Sequence, residues 1–190
     1  MVKIAVVAWG SLVWDPRELK TAAAFTPNGP LLPIEFCRIS ADGRLTLVID
    51  EDVGAVCTTY SAESALDDLD QAIENLRVRE GTNTREVGFV EPASGRESPI
   101  AADRHPQAVA SIGAWAASKG YDAAIWTALE SNFDQWGKAG EPFSVTAAIR
   151  YLETLEAEKE KFARALAYIR SAPPEVETPV REEVAKRWPG

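Results

Sequence analysis

The stretch Ile4-Ala5-Val6-Val7-Ala8-Trp9 limits what this chain can fold into more than any other. It is apolar at every position and rich in β-branched residues, so it has no polar face to offer water. Such a strand is buried on both sides, and the fold must supply one layer above it and another below. Gly10 and Ser11 break the run. Asp15-Pro16-Arg17-Glu18 then predicts a helix start, with Asp15 as N-cap and Pro16 at the first helical position. That helix is expected to reach about Ala24 and to stop before Pro27-Asn28-Gly29-Pro30.

Strands are expected at Ile34–Ile39 and Leu45–Ile49, joined through Ala41-Asp42-Gly43 as a hairpin. A further strand covers Ala55–Tyr60. Ser61 is expected to cap a helix that runs to about Arg79 and stops at Gly81. Val87–Val90 reads as a short strand, Gln107–Ser118 as a helix ended by Gly120, and Asp122–Leu129 as another strand. From Phe143 to Ile169 apolar residues recur at helical spacing, with Glu153, Glu156, Glu158, Glu160 and Lys161 on a solvated face. The order of elements predicts a mixed α+β domain over residues 1–170, followed by a polar, proline-punctuated arm or strap over 171–190.

A chain of 190 residues has room for one real core. Its formal net charge of −9 and the lack of a Lys/Arg run argue against nucleic acid as the main partner. No apolar stretch approaches the length of a membrane span, and the N-terminal run is too short for a secretory signal, so a cytoplasmic location is expected. Cys37 and Cys57 lie in strand-like stretches and read as buried reduced thiols. His105, the one histidine, stands in a loop-like Asp-Arg-His-Pro context, which offers no His/Cys metal cluster.

Two features carry chemistry. The loop Trp9-Gly10-Ser11-Leu12 closes a buried strand; its glycine permits close approach of a ligand, and successive N–H groups can form an anion-binding nest. Taken by itself, its plain reading is a strand-to-helix turn. The second is Glu80. Leu66, Leu69, Ile73 and Leu76 form an apolar stripe, and Glu80 follows Leu76 by four, with Arg77 and Arg79 expected elsewhere on the helix. A carboxylate continuing a buried stripe at the negative end of a helix dipole is expected to have a raised pKa, suited to general base and acid work. A frayed helix end with Glu80 in solvent is the plainer alternative. Trp126–Phe133 offers either pocket walls or ordinary core.

These residues together resemble a family. Trp9-Gly10-Ser11-Leu12-Val13-Trp14-Asp15-Pro16 is similar to the Tyr-Gly-Ser-Leu-(Ile/Met)-Trp-x-Pro opening of the ChaC-like branch of the γ-glutamylcyclotransferase-like superfamily. Phe36-Cys37-Arg38-Ile39-Ser40 and Gly43-Arg44-Leu45-Thr46-Leu47-Val48 look like its next strand pair. Asn75-Leu76-Arg77-Val78-Arg79-Glu80 resembles its Tyr-Leu-x-x-Arg-Glu segment, whose glutamate is catalytic, and Arg150–Leu155 faintly resembles its closing helix. The sequence departs from the pattern at Trp9, where tyrosine is usual, and after Glu80, where Gly81-Thr82-Asn83-Thr84 lacks an aromatic residue.

The resemblance implies a compact mixed β-barrel with flanking helices, neither metal nor organic cofactor, and release of 5-oxoproline from a small-molecule γ-glutamyl substrate. It implies Glu80 as the catalytic residue, with Trp9, Gly10, Ser11 and Leu12 as the substrate loop. Arg38 is then available to pair with a substrate carboxylate, or equally with a hairpin neighbour. A non-catalytic carboxylate-binding module and an acyltransferase or lyase on another acyl-amine are the competing functions.

Overall fold

The computed structural model describes residues 2–135 and 137–190. Strand β1 (Ile4–Ala8) is buried along its whole length, as its composition demands. It sits between β5 (Tyr60–Glu63), antiparallel, and β8 (Ala123–Thr127), parallel. Beyond β8 lie β6 (Val87–Glu91) and the short β7 (Arg96–Glu97), giving a five-stranded sheet in the order β5-β1-β8-β6-β7. Alternation along β1 splits the interior in two. Ile4, Val6 and Ala8 face a smaller core with Leu69, Ala72, Ile73 and Leu76 of α2 (Leu69–Glu80). Ala5, Val7 and Trp9 face the larger one, which holds the second sheet and the C-terminal helices. Full burial of a side chain such as Leu76 contributes about 1.5–3 kcal/mol.

The second sheet has three strands in the order β3-β2-β4, comprising β2 (Leu31–Ile39), β3 (Leu45–Ile49) and β4 (Ala55–Thr58). The expected hairpin is β2 and β3, turned at Gly43 with φ +83°. The expected strand Ala55–Tyr60 is divided between sheets. Thr59 is fully buried at the corner, and its hydroxyl donates to the Pro30 carbonyl at 2.6 Å, so β4 and β5 leave in different pairings. The expected barrel is therefore corrected: the architecture is mixed α+β with two separate sheets, and no pairing among the described residues closes them on one another.

Three helix expectations also change. Ser11–Trp14 forms a four-residue helix, α1, and Asp15 ends it instead of starting one. Arg17 adopts φ +50°, and Thr21 and Thr26 bridge to Ser64 and Ser61, so the segment runs extended along β5. Ser61 belongs to β5; the cap of α2 comes seven residues later, where Asp68 Oδ1 accepts the Gln71 N–H at 2.9 Å. Phe143–Ile169 as one helix would be about 40 Å long. It is two, α5 (Val145–Leu155) and α6 (Lys159–Arg170), with the turn in the segment Glu156-Ala157-Glu158, where no large apolar side chain needs burying. The helix α3 (Pro99–Arg104) precedes α4 (Pro106–Lys119), which covers the expected 107–118 segment.

The terminal segment carries α7 (Pro179–Arg187), with Val176, Val180 and Val184 buried in the larger core. Fully buried Glu35 of β2 ties it down, accepting the Phe36 N–H at 2.7 Å and the Val180 N–H at 3.4 Å. Among the described residues, no helix is long and apolar enough to cross a membrane.

Candidate active site

The loop after β1 and the end of α2 meet at one cavity of about 270 Å³, close to the lower end of the range of small-molecule sites. Gly10, Ser11 and Leu12 line it from the loop, and Glu80 from the helix. The backbone turns at once: the Val13 N–H donates to the Gly10 carbonyl at 2.9 Å and that of Asp15 to Ser11 at 2.8 Å. A Cβ added to Gly10 would lie 3.2 Å from the Tyr168 phenol oxygen, so glycine keeps this wall of the cavity close. At the other end, Gly81 adopts φ +63° and terminates α2, leaving Glu80 as its last helical residue.

Glu80 does not stand alone. The apolar stripe of α2 continues onto Arg79, three beyond Leu76, and the Arg79 side chain is only 4 % exposed against 17 % for Glu80. The more desolvated side chain is thus the arginine, which the spacing of the stripe also allowed. Arg79 Nη1 donates to Glu80 Oε1 at 2.8 Å, and Nη2 reaches the Asp15 carbonyl and, at 3.4 Å, Ser11 Oγ. Its buried Nε has no partner among the described residues. One guanidinium therefore ties the loop to the carboxylate, and the expected picture of a carboxylate set among apolar groups gives way to an ion pair.

Arg38 of β2 lines the same cavity, with Arg44 of the hairpin turn and Thr46 of β3. Arg38 Nη1 donates to the Glu130 carbonyl at 2.6 Å. Burial pushes the Arg38 guanidinium below its ordinary pKa, while the charges of Glu86 and Glu130 oppose that shift. Among the described residues Arg38 has no carboxylate at salt-bridge distance, whereas Arg44 Nε lies 2.8 Å from Asp42 Oδ2 and exposed Arg17 pairs with Asp15 at 3.0 Å. Four arginines and one glutamate thus line this cavity of a chain whose net charge is −9.

Trp9 is buried, and its indole N–H donates to the Leu47 carbonyl at 3.4 Å. The phenol in the cavity comes from Tyr168 on α6, which the sequence reading did not single out. Its ring packs edge-on against Trp14 and Phe36, with the Arg44 guanidinium 5.1 Å from its centroid. Burial pushes the Tyr168 phenol up, the Glu80 charge adds to that, and the Ser11 hydroxyl and backbone N–H oppose it. The only signal for Tyr168 in the sequence was its place within an amphipathic helix, which is indistinguishable from packing.

Trp126 and Phe133 are fully buried core; the segment lends the cavity Thr127 and Leu129 instead. His105 is buried, its pKa lowered by burial, and it borders a different cavity with Asp50, Glu51 and Arg104. Cys37 and Cys57 are buried free thiols. Among the described residues no three His, Cys, Asp or Glu side chains converge as metal ligands. In comparisons with known proteins, no family model, no curated protein and no solved structure matches this chain.

Proposed function

We propose that the protein is a cofactor-independent cyclotransferase that releases 5-oxoproline from a γ-glutamyl amine or peptide in the cytoplasm. The observation that carries this reading is the meeting of Glu80 with the Gly10–Leu12 loop in one small cavity. The reaction needs little from the protein because the nucleophile belongs to the substrate. Its α-amino nitrogen attacks its own γ-carbonyl carbon, forming the ring C–N bond, while the carbonyl pair moves onto oxygen. Collapse expels the second nitrogen. Glu80 accepts the proton that the attacking ammonium must lose and returns one to the leaving nitrogen. Holding the chain folded for attack supplies the remainder, and arginines suit the carboxylates of such a substrate. Arg38, without a carboxylate of its own, fits that task.

Glu80→Gln is expected to abolish 5-oxoproline release and to leave ligand affinity within about tenfold, roughly 1.4 kcal/mol. Undiminished turnover in that variant rules out the assigned role. A second reading, a non-catalytic module for a small carboxylate, draws on the excess of arginine in the cavity. A panel of γ-glutamyl amines, dipeptides and tripeptides separates the two: carboxylate binding without release of 5-oxoproline from any member favours the module.

A further inference from the structure

We propose that the Tyr168 phenol is the donor that binds the γ-carbonyl oxygen of the substrate as that oxygen becomes an oxyanion. The inference rests on the cyclotransferase reading and assigns a hydrogen-bond donor, a part that the Glu80 carboxylate does not fill.

Tyr168 borders the cavity together with Glu80 and the Gly10–Leu12 loop, so its phenol is within the space that would hold the substrate. A neutral phenol has one proton to donate to an oxygen, whereas a carboxylate only accepts. The Arg44 guanidinium over the ring adds positive potential to the same phenol.

Placement agrees with the chemistry. The phenol oxygen stands 3.2 Å from where a Gly10 Cβ would be, so it is held against the substrate loop. Trp14 and Phe36 wedge the ring edge-on, which keeps it from swinging away. Burial and the Glu80 charge hold the phenol protonated, so it enters the reaction as a donor. During attack the carbonyl π pair moves to oxygen and the hydrogen bond from Tyr168 strengthens. The phenol keeps its proton, and the pair returns to carbon as the bond to the leaving nitrogen breaks. Proton transfer stays with Glu80 and charge stabilisation with Tyr168.

The test is Tyr168→Phe, assayed by 5-oxoproline release on the γ-glutamyl substrate that the wild type turns over best. The expected result is a fall of about 100-fold in kcat with KM within about threefold, as for loss of one oxyanion donor. Unchanged kcat, or a loss confined to KM, overturns the proposal. Tyr168→Met also removes the phenol, with an unbranched side chain that adapts to irregular space, and it decides the matter by the same criteria if Tyr168→Phe does not fold. Should Glu80→Gln abolish release while Tyr168→Phe leaves it intact, the cyclotransferase reading stands and this inference falls. Should the wild type release no 5-oxoproline, that reading falls, and calorimetry with 5-oxoproline and glutarate as probes decides the phenol's part. About tenfold weaker binding by Tyr168→Phe supports the phenol as the donor of a binding site. Equal affinity, or no binding of either probe by the wild type, overturns it.

Discussion

The pair Arg79–Glu80 allows the sharpest test of how the site is held together. Arg79→Met removes the guanidinium but keeps an unbranched apolar side chain on the α2 stripe. Three contacts go with it: the ion pair to Glu80, the hydrogen bond to the Asp15 carbonyl and the longer one to Ser11 Oγ. Breaking a fully buried pair costs about 3–5 kcal/mol, but water reaches Glu80, so its share is nearer 2 kcal/mol. The bond to the Asp15 carbonyl adds about 1 kcal/mol, giving about 3 kcal/mol in all. For a chain of this size that lowers the midpoint of thermal unfolding by about 6–12 °C. Glu80→Gln keeps shape and an acceptor and is expected to cost about 1–2 kcal/mol. The double variant leaves neither charge behind, so it should be more stable than the two losses together predict, by about 1.5 kcal/mol. Urea unfolding of the four proteins measures this coupling directly. A coupling below about 0.5 kcal/mol, the size of ordinary additivity error, refutes the view that Arg79 orders Glu80.

Two further outcomes test the frame around the site. In Gly88→Ala the new Cβ would stand 2.3 Å from Trp126 Cε2, inside a ring with no exposed surface to retreat to. Denaturant unfolding should show a loss of at least about 2–3 kcal/mol, and a near-neutral variant would mean that Trp126 is loosely packed. Burial raises the Glu35 pKa above its ordinary 4.5, outweighing the hydrogen bonds from Thr178, Phe36 and Val180. The folded state therefore holds a proton that the unfolded chain has released. The stabilisation is fullest below the unfolded value and is lost as pH rises through the folded one. Thermal midpoints of wild type should fall across that window more than those of Glu35→Gln, and parallel profiles would contradict the assignment.

Local rules served the sequence reading where one segment carried the whole signal. The double burial of β1 followed from its unbroken apolar composition, and the hairpin from the Asp42-Gly43 turn between two strand-like runs. Gly81 and Gly120 marked helix ends because their left-handed conformations suit glycine. Local rules failed where tertiary pairing competed with them. Asp15-Pro16 satisfied the pattern of a helix start, yet the following chain pairs with β5. Ser61 suited an N-cap, yet β1 takes it as a strand partner opposite Val7. Sheet closure is a property of strands far apart in sequence, and nothing in any one of them excluded a barrel.

The site divides along the same line. Its two ends, the Gly10–Leu12 loop and Glu80, were legible because each sits at the break of a strong pattern: a glycine after a buried strand, and an acid beyond an apolar stripe. What joins them was not. Arg79 was expected elsewhere on the helix, whereas the stripe of α2 includes it, and Tyr168 carried no signal beyond its place on a late helix. Periodicity tells which face of an element is buried but not what lies against that face. Only the tertiary structure brings α6 to the loop after β1, and with it the phenol that the Trp9 position does not supply.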